Sequence, residues 1–154
     1  DARHHCYAYM LGAARNNYRA NDDGEPGHSA GDPILGQINS KNLTNILVVV
    51  VRYFGGTKLG VSGLINAYKT AAEEAISAAK IIKVDITHSI EINYSYASTS
   101  DVMRLMDEFA VEIKDQQFAA SCYMKGNVKI GLIGPLRKKI KLLAATGHEV
   151  ELIS

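Results

Sequence analysis

A segment near residue 55 combines an apolar run, several glycines and two cations, and this combination could bind an anion. Residues 48–51 are all valine and predict a buried strand, while the apolar spacing after Ser62 predicts a helix. The first N–H groups of a helix lack partners and carry a partial positive charge, so phosphate or carboxylate is favoured there. Arg52 and Lys58 would add full charges. The predicted binding residues are Arg52, Tyr53, Phe54, Gly55, Gly56, Thr57, Lys58, Gly60 and Gly63.

The glycine-rich turn, residues 55–63, does not match the better-known phosphate-binding loops. Its glycine spacing fits neither Gly-x-x-x-x-Gly-Lys-Ser/Thr nor Gly-x-Gly-x-x-Gly, which argues against an ATPase or a dehydrogenase. From the residues alone, two interpretations stay open. The glycines either let the backbone approach a bound anion closely, or they only permit a tight turn between a strand and a helix.

An acidic loop, residues 22–30, is the second candidate for chemistry. Its carboxylates Asp22, Asp23 and Glu25 could hold Mg²⁺, or they could pair with Arg52 and Lys58 and so fix the glycine-rich turn. The alternative is an exposed acidic turn, because aspartate, glycine and proline favour turns in any case.

The residues His4, His5 and Cys6 suggest a metal site, since imidazole and thiolate are good zinc ligands. Neighbouring residues on a strand point to opposite faces, however, so the two histidines cannot easily hold one ion together. We therefore predict neither a metal nor a cofactor. One of the histidines could still face the acidic loop. The two cysteines, Cys6 and Cys122, are far apart in the sequence and are predicted to be free thiols, which suits a reducing cytosol.

A second group of cations lies near the C-terminal end of the sequence. It forms a predicted secondary basic patch on the last helix, which phosphate backbones could bind. Surface helices commonly carry lysine and arginine, so a solvated helix face is the alternative interpretation. The patch consists of Arg137, Lys138, Lys139 and Lys141.

The composition is that of a globular protein without a dominant charge. The 154 residues are 47% hydrophobic, and 17 Lys and Arg stand against 16 Asp and Glu. Nucleic-acid binding would therefore depend on a local patch and not on net charge. The longest apolar run, residues 46–51, is far shorter than the roughly 20 residues that span a bilayer, so we predict a cytoplasmic protein without membrane contact.

The first half of the sequence predicts two strands and two helices. We expect a strand over residues 5–11, loop structure over 12–33 and a short helix over about 29–39. Residues 43–54 predict a strand buried on both faces, as in the centre of a sheet. The long helix that follows is predicted to have Ser62 as its N-cap.

The second half predicts the order strand, helix, strand, strand, helix, strand. The first strand is expected over residues 88–94, and an extended segment begins at residue 111. Two strand patterns over 118–124 and 128–133 flank a turn at 125–127, and a last strand is expected over 149–153. One helix starts near Ser98, where Ser98 and Asp101 resemble a capping box, and another starts near Pro135 and ends before Gly147. This order is that of the ferredoxin-like split βαβ unit.

Several separated blocks also carry a family resemblance. The sequences RYFGGTKLG (52–60), DARHHCYAY (1–9), DDGEPGHSAGDPIL (22–35) and INAY (65–68) resemble the IMPACT/YigZ family of small translation-associated proteins. The family more often has Ser-Gly-Thr-Ala-Gly after its DDGEP block, so His28 puts a hydroxyl role at that turn in question.

The resemblance implies a fold and a function. The fold is α+β, with an N-terminal domain like the second domain of ribosomal protein S5 over residues 1–82 and a ferredoxin-like domain over 88–154. Family members begin with further residues that add strands and a helix, and without those we expect an exposed sheet edge. The implied function is translation control, by binding RNA, the ribosome or a translation-linked protein through Arg52 and the glycine-rich turn. The alternative is a hydrolase or transferase acting there on a phosphorylated or carboxylated small molecule or a short peptide.

Overall fold

The computed structural model describes residues 1–153, and these form two compact units. Unit 1 comprises Asp1–Ile82, and unit 2 begins at Lys83. Over the described residues the chain has two antiparallel sheets, one of three and one of four strands, and four α-helices. The predicted α+β class is therefore confirmed. None of the helices within residues 1–153 is both long and apolar enough to cross a membrane.

Unit 1 has two helices packed on one face of a three-stranded sheet. Its elements are β1 (His4–Leu11), β2 (Asn17–Asn21), α1 (Gly31–Ser40), β3 (Ile46–Arg52) and α2 (Gly60–Ala78). The strand order is β2-β1-β3. Alternation along β1 turns Cys6, Ala8 and Met10 toward the helices, where they are buried. The apolar stripe of α2 meets them, with Leu64, Tyr68, Ala72 and Ile76 at four-residue steps.

The prediction that β3 is a central strand buried on both faces is wrong. The strand lies at the end of the sheet of unit 1 and pairs only with β1 among the described strands. Val48 is buried against the helices, whereas Leu47, Val49 and Val51 are 61%, 50% and 43% exposed on the other face. Valine-rich sequences suit a pleated strand on either a covered or an open face, so the run itself does not tell the two apart.

Two further predictions for unit 1 need correction. Residues 17–21, expected as loop, form β2, whose polar residues gave no alternation because the strand lies at the edge and faces solvent. The helix α2 begins at Gly60, not after Ser62. Its N-cap is Leu59, and no side chain caps the helix.

Unit 2 has the predicted order of elements. They are β4 (Thr87–Ser95), α3 (Thr99–Glu108), β5 (Glu112–Gln117), β6 (Ser121–Lys129), α4 (Ile133–Ala145) and β7 (Val150–Leu152), with short 3₁₀ turns before α3 and α4. The strand order is β5-β6-β4-β7. Both helices and the sheet contribute to one core, which includes Ile92, Met106, Met124 and Leu136.

The predicted turn at residues 125–127 is wrong, because β6 runs through it without a break. Gly126 is required there by a close approach: a Cβ would lie 2.7 Å from Val111 Cγ1 and 3.0 Å from the Glu112 carbonyl oxygen. The predicted strand over 128–133 ends at Lys129. The predicted capping box of Ser98 and Asp101 is not formed. The Ser98 hydroxyl makes a hydrogen bond with the Ser95 hydroxyl, and the Asp101 carboxylate contacts Arg104 and His148.

Candidate anion-binding site

The acidic loop is fixed at its start by Asp22. One carboxylate oxygen accepts hydrogen bonds from the N–H groups of Ala30 (3.1 Å) and Gly31 (2.8 Å), and the other accepts the N–H of His28 (2.9 Å). Burial of Asp22 opposes ionisation, but the three donors outweigh it and lower the pKa of the carboxyl below its ordinary value. Asp22 therefore satisfies N–H groups at the start of α1, where Ala30 offers no side-chain cap.

Both histidines of β1 contact the same part of the loop. The Nδ1 atom of His4 lies 2.8 Å from the carbonyl oxygen of Asp23. The backbone N–H of His5 donates to the Asp23 carboxylate at 2.7 Å, and the His5 ring lies 3.7 Å from the same carboxylate. The loop is thus attached to β1 through Asp23. Within residues 1–153, His, Cys, Asp and Glu side chains form no group of three that could hold a metal ion.

Glu25 joins the acidic loop to both sides of the glycine-rich turn. Its carboxylate accepts hydrogen bonds from Nε of Arg52, at the end of β3, and from the hydroxyl of Tyr68 in α2 (2.7 Å). The Glu25 side chain is only 3% exposed. Burial raises its pKa, but the donors Arg52 and Tyr68 prevail and the pKa is lowered overall. Glu25 is therefore an anionic acceptor in a closed network and is poorly placed to act as a general base.

Cys6 and Tyr68 complete the buried side of this network. The Cys6 thiol donates to the carbonyl oxygen of Asp22 at 3.0 Å, and burial raises the pKa of this thiol. Burial also raises the pKa of Tyr68, and the nearby Cys6 and the hydrogen bond to Glu25 add to this effect. Both groups therefore stay neutral at physiological pH, which suits hydrogen-bond donors and not nucleophiles.

The glycine-rich turn itself lies open to solvent. Tyr53 and Phe54, which precede it, are 69% and 58% exposed, and Lys58 is exposed as well. Gly56 and Gly60 have φ values of +68° and +70°, which residues with a side chain rarely adopt. At Gly63 an added Cβ would lie 3.0 Å from Cβ of Leu59, which is a tight contact. The turn thus leads to an uncapped helix start that solvent can reach.

The two cations of the turn differ in their surroundings. Arg52 forms an ion pair with Glu25, and this contact raises the pKa of the guanidinium. Lys58 has no carboxylate within 4.0 Å among residues 1–153. The structure therefore brings Arg52 together with Glu25, which is one of the two pairings predicted for the acidic loop. The secondary basic patch lies in unit 2 on α4, and its Lys139 pairs with Glu108 at 3.3 Å.

His28 has a role that differs from that of a hydroxyl. It adopts a positive φ of 65°, and its ring nitrogen Nδ1 lies 2.6 Å from the Asp32 carboxylate. This contact raises the pKa of the exposed His28 imidazole. The hydroxyl of the neighbouring Ser29 donates to the Pro26 carbonyl oxygen at 2.5 Å, so Ser29 supplies a hydroxyl that bonds the backbone of this turn.

Comparison with known proteins agrees with these motifs. Residues 1–76 match the model of the Impact N-terminal domain. A protein from Haemophilus influenzae called "IMPACT family member" is 35% identical over 127 residues, which are 80% of this chain and 61% of the relative. The chain belongs to the IMPACT family. The IMPACT family member YvyE of Bacillus subtilis is 31% identical over 119 residues, or 77% of this chain and 55% of the relative.

Two further matches are a relative found by its sequence and a solved structure found by its fold. An IMPACT family member of Thermus thermophilus is 49% identical over 78 residues, which are 51% of this chain and 41% of that protein. A crystal structure titled as that of a hypothetical protein superposes on the whole chain and on 75% of its own length, with a TM-score of 0.65 and 27% identity. The chain spans less than two thirds of the length of these curated IMPACT relatives.

Sequence reasoning missed two members of the buried network, Cys6 and Tyr68. Cys6 was considered only as a metal ligand or a free thiol, and within residues 1–153 both cysteines are indeed free and buried. Tyr68 lies in the apolar stripe of α2, and apolar spacing alone predicts no role for its hydroxyl. The available signal was its polar hydroxyl in a stripe that otherwise holds leucine, isoleucine and alanine, because a buried tyrosine hydroxyl needs a partner.

Proposed function

We propose that this chain is a cytoplasmic, translation-associated regulatory protein that binds RNA, either free or within the ribosome, through the glycine-rich turn. Membership of the IMPACT family supports the link to translation. The observation that carries the proposal is the exposed, uncapped start of α2 beside the unpaired cation Lys58. Unpaired helix N–H groups and a lysine are both favourable contacts for phosphate.

Two exposed aromatic residues favour RNA over a small anion. Tyr53 and Phe54 stand directly before the turn and leave more than half of their surface in solvent. Unpaired bases stack on such rings, and single-stranded RNA is commonly bound by a combination of stacking and phosphate contacts.

The acidic loop would support this surface and not contact the RNA. Glu25 ties Arg52 at the end of β3 to Tyr68 in α2, so the two ends of the turn are held by one carboxylate. We therefore divide the predicted cations by role. Lys58 and the N–H groups of α2 bind phosphate, while Arg52 positions the turn through Nε and offers only its terminal nitrogens to a ligand.

Binding can be tested by fluorescence anisotropy with a labelled single-stranded RNA over a series of salt concentrations. The wild type is expected to bind with an affinity that falls as salt rises. Lys58→Ala should bind more weakly and lower the salt slope by about 0.7, the value for one phosphate contact to a single strand. Lys69→Ala, an exposed lysine farther along α2, is the matched control and should leave the slope unchanged.

Three outcomes would overturn the proposal. Wild-type RNA binding without salt dependence would exclude a phosphate contact. Ribosome cosedimentation that is unchanged in Lys58→Ala would assign the contact to another surface or to a protein partner. Turnover of a phosphorylated metabolite or a peptide by the purified chain, lost in Lys58→Ala, would replace a binding function with an enzymatic one.

We also propose the finer fold assignments implied by the family. Residues 1–82 would form the S5-like domain, and residues 88–154 the ferredoxin-like domain. Numbered within unit 2, the strand order is 2-3-1-4 with the helices after the first and third strands, and this arrangement supports the second assignment.

A further inference from the structure

The free edge of β7 in unit 2 is a second surface, independent of the function proposed above. Within the described residues 1–153, β7 is the terminal strand of its sheet and pairs with β4 alone. The N–H of Ser95 donates to the Glu149 carbonyl at 2.9 Å, and the N–H of Ile153 donates to the Glu91 carbonyl at 2.8 Å. Backbone groups alternate in direction along an antiparallel strand, so those of Val150 and Leu152 face away from β4.

A groove of about 340 Å³ follows this edge. One wall is α4, with Ile140 and Ala144 one helical turn apart, and the other is β7 with Val150 and Leu152. Val150 and Leu152 pack against the core on the helix side of the sheet. The groove therefore offers an apolar floor next to unpaired backbone donors and acceptors.

Two cations stand over this groove. Arg137 and Lys141 are four residues apart on α4, so they lie on the same side of the helix. Lys139 is paired with Glu108, whereas Arg137 and Lys141 have no carboxylate within 4.0 Å in residues 1–153. Glu151 also lines the groove, but it alternates along β7 with the half-buried Val150 and Leu152, so its side chain points to the face of the sheet away from α4.

We propose that this edge docks an extended acidic peptide segment of a partner protein as an additional β-strand. The peptide backbone would pair with Val150 and Leu152, its apolar side chains would enter the groove beside Ile140 and Ala144, and its carboxylates would meet Arg137 and Lys141. Backbone pairing supplies affinity and the groove selects side chains. Nucleic acid is the less fitting ligand, because it would leave both the strand edge and the apolar floor unused.

The test uses the full chain and a labelled nine-residue peptide. Serine occupies every second position of the peptide, and valine and glutamate alternate at the positions between. Saturable binding is expected, with the largest NMR shifts at the amides of Val150 and Leu152. Charge reversal by Arg137→Glu together with Lys141→Glu should weaken binding at least about fivefold, which corresponds to about 1 kcal/mol. Lys138→Glu, on the same helix but outside the groove, is the matched control and should change binding little.

Two altered peptides separate the contacts without changing the protein. A peptide with lysine in place of glutamate should bind weakly to the wild type. A peptide N-methylated at alternate residues keeps its side chains but cannot pair with the strand, so one of the two methylation registers should abolish binding. The proposal is wrong if binding survives both registers, if no saturable shift appears at millimolar peptide, or if RNA shifts Arg137 and Lys141 while the peptide leaves Val150 and Leu152 unchanged.

Discussion

The acidic loop and the glycine-rich turn lie at the same end of unit 1, yet they are built in opposite ways. In the loop, Asp22 accepts three backbone hydrogen bonds and Glu25 is buried between Arg52 and Tyr68. In the turn, Lys58 and the preceding Phe54 are exposed. The backbone hydrogen bond from the N–H of Thr57 to the Gly55 carbonyl oxygen stays within the turn and does not attach it to the rest of unit 1. Polar groups that already have hydrogen-bond partners within the protein hold its structure in place, while exposed polar groups without such partners remain available to a ligand.

From this difference we infer that the carboxylates of the loop stabilise unit 1 and that the turn binds the ligand. Substitutions in the loop should therefore have the larger effects on the stability of unit 1, and substitution of Lys58 in the turn should change binding while leaving the fold intact.

The largest effect is expected from Arg52→Ala. Among residues 1–153 it leaves the buried Glu25 carboxylate with Tyr68 as its only side-chain hydrogen-bond donor, and removing one partner of a buried ion pair typically costs about 3 kcal/mol or more. The free energy of unfolding of unit 1 can be measured from native-state hydrogen exchange of the β1 amides.

A double variant provides the control for this prediction. Arg52→Ala combined with Glu25→Leu removes both charges, so it should recover part of the lost stability. If Arg52→Ala alone changes the exchange of β1 by less than about 0.5 kcal/mol, the ion pair is not a structural anchor and the division fails.

Gly31→Ala should be the next most destabilising change. A Cβ at Gly31 would lie 2.5 Å from the backbone nitrogen of Asn21, so α1 and the end of β2 would have to separate. Overpacking of this kind costs about 2 kcal/mol. Gly27→Ala is the matched control, since no atom lies within 4 Å of the added Cβ. Equal melting temperatures for the two variants would contradict the close packing of the loop.

The stability of unit 1 should fall in acid because of Asp22 and Glu25. Their pKa values are lowered from ordinary values of 3.8 and 4.5, so the folded state binds these protons less readily than the unfolded state. The stabilisation is present above about pH 4.5 and is lost as the pH falls through the lowered pKa values. Hydrogen exchange of β1 across this range should show a shallower decline in Asp22→Asn than in the wild type, and a parallel decline would exclude Asp22.

A smaller effect is expected within the turn. Gly56→Ala places a side chain at a φ of +68° and should destabilise unit 1 by about 1 kcal/mol, while Gly55→Ala meets no atom within 4 Å and should be nearly neutral. Chemical denaturation of the two variants checks this ranking. The opposite ranking would mean that the turn has another conformation in solution.

The order of elements was predictable from sequence because the long apolar patterns have clear periods. The stripe of α2 and the overall order of unit 2 follow from such patterns, although the predicted turn at 125–127 divides β6 into two strands. The solvent-facing strand β2 was missed because polar edge strands lack alternation, and Gly126 was taken for a turn because a close contact and a turn require the same residue. The pairing of Glu25 with Arg52 is one of three interpretations that the sequence leaves open for the acidic loop, beside Mg²⁺ binding and an exposed turn. The hydrogen bond of Tyr68 to Glu25 joins residues 43 apart in sequence, and no local pattern predicts it.

RNA binding at the glycine-rich turn can be tested by adding a short single-stranded RNA to the isotope-labelled chain and following the amide NMR signals of the protein. We predict the largest changes at Thr57, Lys58 and the first turn of α2, with smaller ones in the acidic loop. RNA binding that leaves these amides unchanged, or that shifts only the amides of α4, would contradict the assignment of the glycine-rich turn as the binding surface.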